Sequence, residues 1–199
     1  MDLETAADRV ITRINECQSD DRLLVAIDGR SGAGKTTLAN LVAEGVGGVV
    51  VLGDDFYSGG TDEKWRGHSP EAKVAEVIDW KRLRRDVLES LLRGKPASWH
   101  PLAFTPGVGW TGWKDELITL QPARIVILDG AYSSRPELAD ILDLSVLVEA
   151  PEEVRSERLL AREGAAFMQS WHEIWDAAED YYFSQVRPLS SFDVVVSLC

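Results

Sequence analysis

The sequence predicts an α/β domain of three layers, with a five-stranded, mostly parallel sheet between two layers of helices. Three observations predict it. Five short apolar runs are continuous rather than alternating, as strands covered on both faces read. Segments with apolar residues at steps of three and four separate those runs, so strands and helices alternate. The chain has 199 residues and a mass of 22.0 kDa, enough for one domain with a sizeable core and too little for two full domains.

Each element follows from its residues. Leu3, Ala6, Ala7, Val10, Ile11, Ile14 and Cys17 form a stripe that predicts a first helix. Leu23–Ile27 is the first strand, and a glycine-rich turn separates it from a helix over Leu38–Glu44. Val49–Leu52 is the second strand. The stretch from Gly53 to Gln121 is too long for a simple crossover, which predicts an insertion at about 56–121 near the carboxyl edge of the sheet. Within it, Leu83, Val87, Leu88, Leu91 and Leu92 have helical spacing, ended by Gly94 and Pro96. Ile125–Leu128 and Leu144–Val148 are the third and fourth strands. Pro151 stands at the first turn of a helix that Gly164 closes. An aromatic-rich helix over about 166–186 ends before Pro188, and Val194–Leu198 is the fifth strand.

Composition narrows the function. Apolar residues are 45 % and charged residues 27 % of the chain, ordinary globular usage. Lys and Arg number 21 against 33 Asp and Glu, a net charge of −12. Such a surface repels a phosphate backbone, which argues against binding nucleic acid or an anionic membrane, so any anionic ligand needs a local cationic pocket. Cys17 and Cys199 have neither zinc-site spacing nor a disulfide framework. With no signal-peptide pattern and no apolar run of membrane length, a reducing cytoplasm is the expected location.

The strongest signal follows the first strand. Gly29-Arg30-Ser31-Gly32-Ala33-Gly34-Lys35-Thr36 matches G-x-x-x-x-G-K-[ST], with Thr37 and a helix after it. Glycines let consecutive amides point inward at phosphate oxygens, and the helix amino end adds positive potential. Lys35 is expected to reach the β- and γ-phosphates and the Thr36 hydroxyl to ligate Mg²⁺. The third strand ends at Asp129-Gly130, where a carboxylate can support the same metal. An Asp-Gly turn after any strand is the plain alternative.

Three classes of nucleotide-using protein can be weighed. A GTPase needs Asn-Lys-x-Asp, which is absent. A transporter ATPase carries Ser-Gly-Gly-Gln just before its third-strand acid. Ser58-Gly59-Gly60-Thr61 is a near miss, and it lies far upstream of Asp129. A small-molecule kinase needs an acid near the acceptor hydroxyl and an arginine-bearing lid. Asp54 and Asp55 follow the second strand, and either can accept the acceptor's proton. Arg155, Arg158 and Arg162 line one helix face, as a charge-neutralising lid at about 155–170 does, or a salted surface helix.

These residues resemble the uridine kinase-like family of P-loop kinases, the phosphoribulokinase/uridine kinase group. The likeness rests on Asp28-Gly29 through Thr37, Asp54-Asp55-Phe56-Tyr57, Asp79-Trp80 through Gly94-Lys95-Pro96, Leu128-Asp129-Gly130, and Val154-Arg155 through Arg162-Glu163-Gly164. It implies the P-loop nucleoside-triphosphate hydrolase fold over a single domain, residues 1–199, with sheet order 2-3-1-4-5 and a small lid. It also implies ATP and Mg²⁺, phosphorylation of a hydroxyl, Asp54 as the catalytic aspartate, and Arg158 and Arg162 as the lid arginines. Two departures stand out: Asp129-Gly130 replaces the family's Glu-Gly, and Pro96–Phe104 lacks the acid of a Pro-x-Tyr-Asp stretch.

For the acceptor side, Tyr57, Arg66 and His100 are the candidate contacts. Trp65, Trp80, Trp99, Trp110, Trp113 and Trp171, with Trp175 nearby, either stack on a ring or plug a lid onto the core. The expectation is a kinase of a small metabolite, most simply a nucleoside. Alternatives are a sugar, vitamin-precursor or nucleoside-monophosphate kinase, or a nucleotide-gated binding module.

Overall fold

A computed structural model describes residues 1–17, 21–105 and 109–199. Its central sheet joins β1 (Leu23–Asp28), β2 (Val49–Leu52), β3 (Ile125–Asp129), β4 (Leu144–Glu149) and β5 (Val194–Ser197). All neighbours are parallel, in the order β2-β3-β1-β4-β5. That is the expected 2-3-1-4-5 sheet, with Leu23 opposite Ile125 and Val25 opposite Leu144.

The continuous apolar runs have a direct cause. Leu23, Val25 and Ile27 enter one core with Ile125 and Ile127, while Leu24 enters the other with Val126 and Leu128. Side chains alternate across a strand, so two buried faces demand an apolar residue at every position. One face is covered by α1 (Leu3–Glu16) and α2 (Lys35–Val46). Asp2 caps α1 by accepting from the Thr5 amide at 2.7 Å, and Ala6, Ala7, Val10 and Ile14 are its buried stripe. The other face is covered by the insertion and by α4 (Ala165–Tyr181), which follows α3 (Glu152–Glu163).

Some boundaries differ from the sequence reading. The helix after the glycine-rich turn begins at Lys35 and runs to Val46, because turn and helix are one unit. Pro151 caps α3 from one residue outside, in extended backbone. The aromatic helix is α-helical to Tyr181 and widens to a π turn over Tyr182–Val186. Residues 155–170 cross the junction of α3 and α4, where Gly164 turns at φ +84°.

The insertion is structured. Short helices span Asp62–Arg66 and Pro70–Glu76, and a longer helical stretch spans Trp80–Leu92 with a π turn at Leu83–Leu88. Two antiparallel pairs follow, Ala97–Trp99 with Ile118–Leu120 and Leu102–Thr105 with Gly109–Trp113. Trp65, Trp80, Trp99 and Trp175 are buried as core plugs, whereas Trp113 is 50 % exposed.

Candidate active site

The site grows from the end of β1. Asp28 is fully buried, and its carboxylate accepts from the amides of Gly29 (2.8 Å), Tyr132 (3.0 Å) and Ser134 (2.9 Å) and from the Tyr182 hydroxyl (2.7 Å). Burial pushes its pKa up, and three of those donors pull against that. It roots the glycine-rich loop, the turn after β3 and the end of α4 at one point. Gly29 then turns at φ +148°, where a Cβ would stand 2.3 Å from the Val148 carbonyl oxygen. Gly32 turns at φ +77°, 2.6 Å from the Arg155 carbonyl oxygen on the same test. No side chain fits at either place.

Lys35 leads into α2, and its ammonium lies across the loop, donating to the Arg30 carbonyl at 3.0 Å. Thr36 Oγ1 donates to Asp129 Oδ2 at 2.6 Å, joining the loop to the end of β3. Asp129 is buried, and its Oδ1 accepts no hydrogen bond. Burial raises its pKa first, Asp54 and Asp28 add to the rise, and Thr36 and Lys35 oppose it. A buried acceptor left empty is costly, and one beside a threonine hydroxyl fits a hard, oxygen-seeking cation. Among the described residues no group of three or more His, Cys, Asp or Glu could hold a metal alone. Mg²⁺ held together with substrate phosphates needs only one or two protein ligands.

A cavity of ≈ 120 Å³ opens here. Lys35, Thr36, Asp54, Tyr57, Asp129 and Arg162 line it, together with Tyr132, Trp171, Trp175 and Glu179. The two neighbouring acids after β2 part company because Gly53–Phe56 is a tight 3₁₀ turn. Asp54 lines the cavity, while Asp55 accepts from Trp99 Nε1 at 2.9 Å and belongs to the insertion, with its pKa raised chiefly by burial. Tyr57 has its pKa pushed well up, by burial first and then by Asp54 and Asp62.

Other expected residues are spread differently. Arg158 Nη1 stands 3.3 Å from both the Gly32 and Ala33 carbonyls, on the outer rim of the loop. Arg30 turns away from the loop, donating to Asp180 at 2.6 Å and lying over the Phe183 ring. Arg66 and His100, the other expected acceptor contacts, are not among the residues that line this cavity. Arg66 is drawn to Ser170 and Glu173 on α4, and His100 bonds the Lys114 carbonyl in the insertion.

The sequence reading missed Tyr132, a non-glycine residue at φ +64°, and Glu179. It also missed that Trp171, Trp175 and Glu179, spaced four apart on α4, form one wall. The four-residue step was the available signal.

A family model described as an AAA domain matches residues 25–167. The uridine kinase of Deinococcus deserti is 29 % identical over 171 residues, 83 % of this chain and 78 % of that protein. That of Halobacterium salinarum is 25 % identical over 169 residues, 83 % of this chain and 71 % of that protein. Among solved structures, one described as a possible uridine kinase from Bacillus stearothermophilus superposes with a TM-score of 0.71 at 20 % identity, covering 98 % and 99 % of the two chains. D-glycerate 3-kinase from Cryptococcus neoformans gives 0.61 at 15 % identity, covering 98 % and 95 %. These two share the fold. No helix among the described residues is long and apolar enough to cross a membrane.

Proposed function

The chain belongs to the AAA domain family, within the P-loop kinases, and from that premise we propose an ATP- and Mg²⁺-dependent kinase of an uncharged, ring-bearing metabolite, most simply a nucleoside. One observation carries the reading: Lys35, the Thr36–Asp129 pair and Asp54 meet in a single cavity.

In this reading the amides of Gly32 to Thr36 cradle the phosphates, and Lys35 leaves the Arg30 carbonyl for the β- and γ-phosphates. Thr36 and Asp129 hold Mg²⁺, which supplies charge neutralisation at the transferring group. Asp54 accepts the proton of the acceptor hydroxyl while the hydroxyl oxygen bonds to the γ-phosphorus. The bond from that phosphorus to the bridging oxygen breaks, and ADP leaves. Arg162, on the cavity wall, and Arg158, at the loop's rim, neutralise the transferring charge from a lid over residues 155–170.

The wall supports an uncharged acceptor. Its cations are Lys35 and Arg162, both assigned to the donor phosphates, and the rest of its charge is negative. A monophosphate acceptor would set an anion against Asp54 and Glu179. Tyr57, Trp171 and Trp175 offer flat apolar faces for a ring. The missing acid in Pro96–Phe104 and the absence of His100 from the cavity lining favour one second reading, a neutral sugar in place of the nucleoside. We place the reaction in the cytoplasm, where ATP and two free thiols coexist.

The test is ADP release measured against a panel of nucleosides, sugars and monophosphates. A nucleoside or sugar should stimulate release, and no stimulation by any of them would favour a nucleotide-gated module. Asp54→Asn should lower kcat by about 10²–10⁴ with ATP affinity unchanged. Undiminished turnover would remove Asp54 from the reaction.

A further inference from the structure

Glu179 enters the reading above only as a negative charge on the cavity wall, yet it is 3 % exposed and lines the cavity beside Ser31 of the phosphate loop. Its Oε1 accepts two hydrogen bonds from one residue, the Ser31 amide at 2.9 Å and the Ser31 hydroxyl at 2.8 Å. Its Oε2 stands 3.7 Å from Arg30 Nη1. The same helix face carries Trp171 and Trp175 into the cavity and, three residues after Glu179, presents Tyr182 to Asp28. One face of α4 therefore forms the acceptor wall, grips the loop at Ser31 and anchors its root.

We propose that Glu179 is a positioning residue that holds the phosphate loop in its nucleotide-binding shape from the acceptor wall. This rests on the loop's being an ATP cradle. Two effects oppose each other. A buried carboxylate near a triphosphate repels it, and that effect favours removing Glu179. A loop with glycines at positive φ is soft, and two hydrogen bonds to a charged acceptor fix Ser31, the residue between the turns at Gly29 and Gly32. Arg30, which also pairs with Asp180, offsets part of the charge at Glu179. Pinning therefore outweighs repulsion. The glutamine amide oxygen can accept the same two bonds without the charge, which separates the two effects.

The experiment compares wild type, Glu179→Gln and Glu179→Ala. The first readout is calorimetric Kd for a non-hydrolysable ATP analogue with Mg²⁺, with nucleotide-free thermal melts as the control for folding. Glu179→Ala should raise Kd about tenfold, and Glu179→Gln should stay within about threefold of wild type. Equal or tighter binding by Glu179→Ala, or Glu179→Gln as weak as Glu179→Ala, overturns the proposal. The second readout needs no nucleotide: trypsin cleavage of the Arg30–Ser31 bond, followed by mass spectrometry. Cleavage should speed up in Glu179→Ala and not in Glu179→Gln, and equal rates in all three overturn it. A wild type that binds no nucleotide but shows this protease pattern would sink the kinase reading and leave the positioning role standing.

Discussion

Asp129, the proposed metal-side acid, also carries a cost in the metal-free fold. Its Oδ2 is taken by the Thr36 hydroxyl at 2.6 Å, its Oδ1 is buried without a hydrogen bond, and burial raises its pKa. Because the folded-state pKa lies above the unfolded value, the favourable contribution is complete below the unfolded pKa. It is lost as pH rises through the folded one. At neutral pH the ionised group therefore weakens the metal-free fold. Asp129→Asn should stabilise the metal-free protein by ~1 kcal/mol in urea unfolding at pH 7 while weakening Mg²⁺-dependent nucleotide binding at least tenfold. Protons and Mg²⁺ also compete for Oδ1, so Mg²⁺ affinity should fall as pH drops into the raised carboxyl range of Asp129. A pH-independent affinity, or a destabilised Asp129→Asn protein, would contradict the assignment. At this scale the phosphate loop was legible because its chemistry needs adjacent residues in fixed order. Asp54 and Asp55 were not separable, since only the 3₁₀ turn decides which side chain lines the cavity. Glu179 lies 148 positions from Ser31, and no local pattern marks such a pair.

Among the elements, α4 does the most joining. Trp175 is 6 % exposed and packs against Trp65 at 5.5 Å and Tyr57 at 6.1 Å between ring centroids. The ammonium of Lys73, a buried residue of the helix Pro70–Glu76, donates to the Ile174 carbonyl at 2.7 Å. Trp175→Ala should cost about 3–5 kcal/mol in chemical unfolding, because it empties the contact between the insertion and α4. Trp171, a half-buried residue on the same wall, should cost less stability and more acceptor affinity when replaced by alanine. If the two variants destabilised equally with unchanged acceptor KM, α4 would be packing alone. The five core strands were legible because burial on both faces leaves a continuous apolar run. The insertion was legible only around Leu83–Leu92. Helices of five and seven residues show less than two full turns of period, and strand pairs of three to five residues hardly alternate. The partners of Arg66 and His100 were hidden for the same reason, since they come from α4 and from Lys114 after the returning strand.

For the molecule as a whole, the decisive contrast is between a net charge of −12 and the polyanion that the proposed donor site has to hold. The global field works against a triphosphate, so the proposed reading draws affinity from groups that would touch it: loop amides, the α2 amino end, Lys35 and the arginines of α3. Parallel order β2-β3-β1-β4-β5 brings the phosphate loop, Asp54 and Asp129 to one sheet edge, although they are separated widely in sequence. Calorimetry of Mg²⁺ and a non-hydrolysable ATP analogue with wild type and Lys35→Ala tests this most directly. The expected result is one site per chain in the wild type, with affinity at least about a hundredfold weaker in Lys35→Ala. Equal affinity in the two proteins, or no binding heat from the wild type, would contradict it.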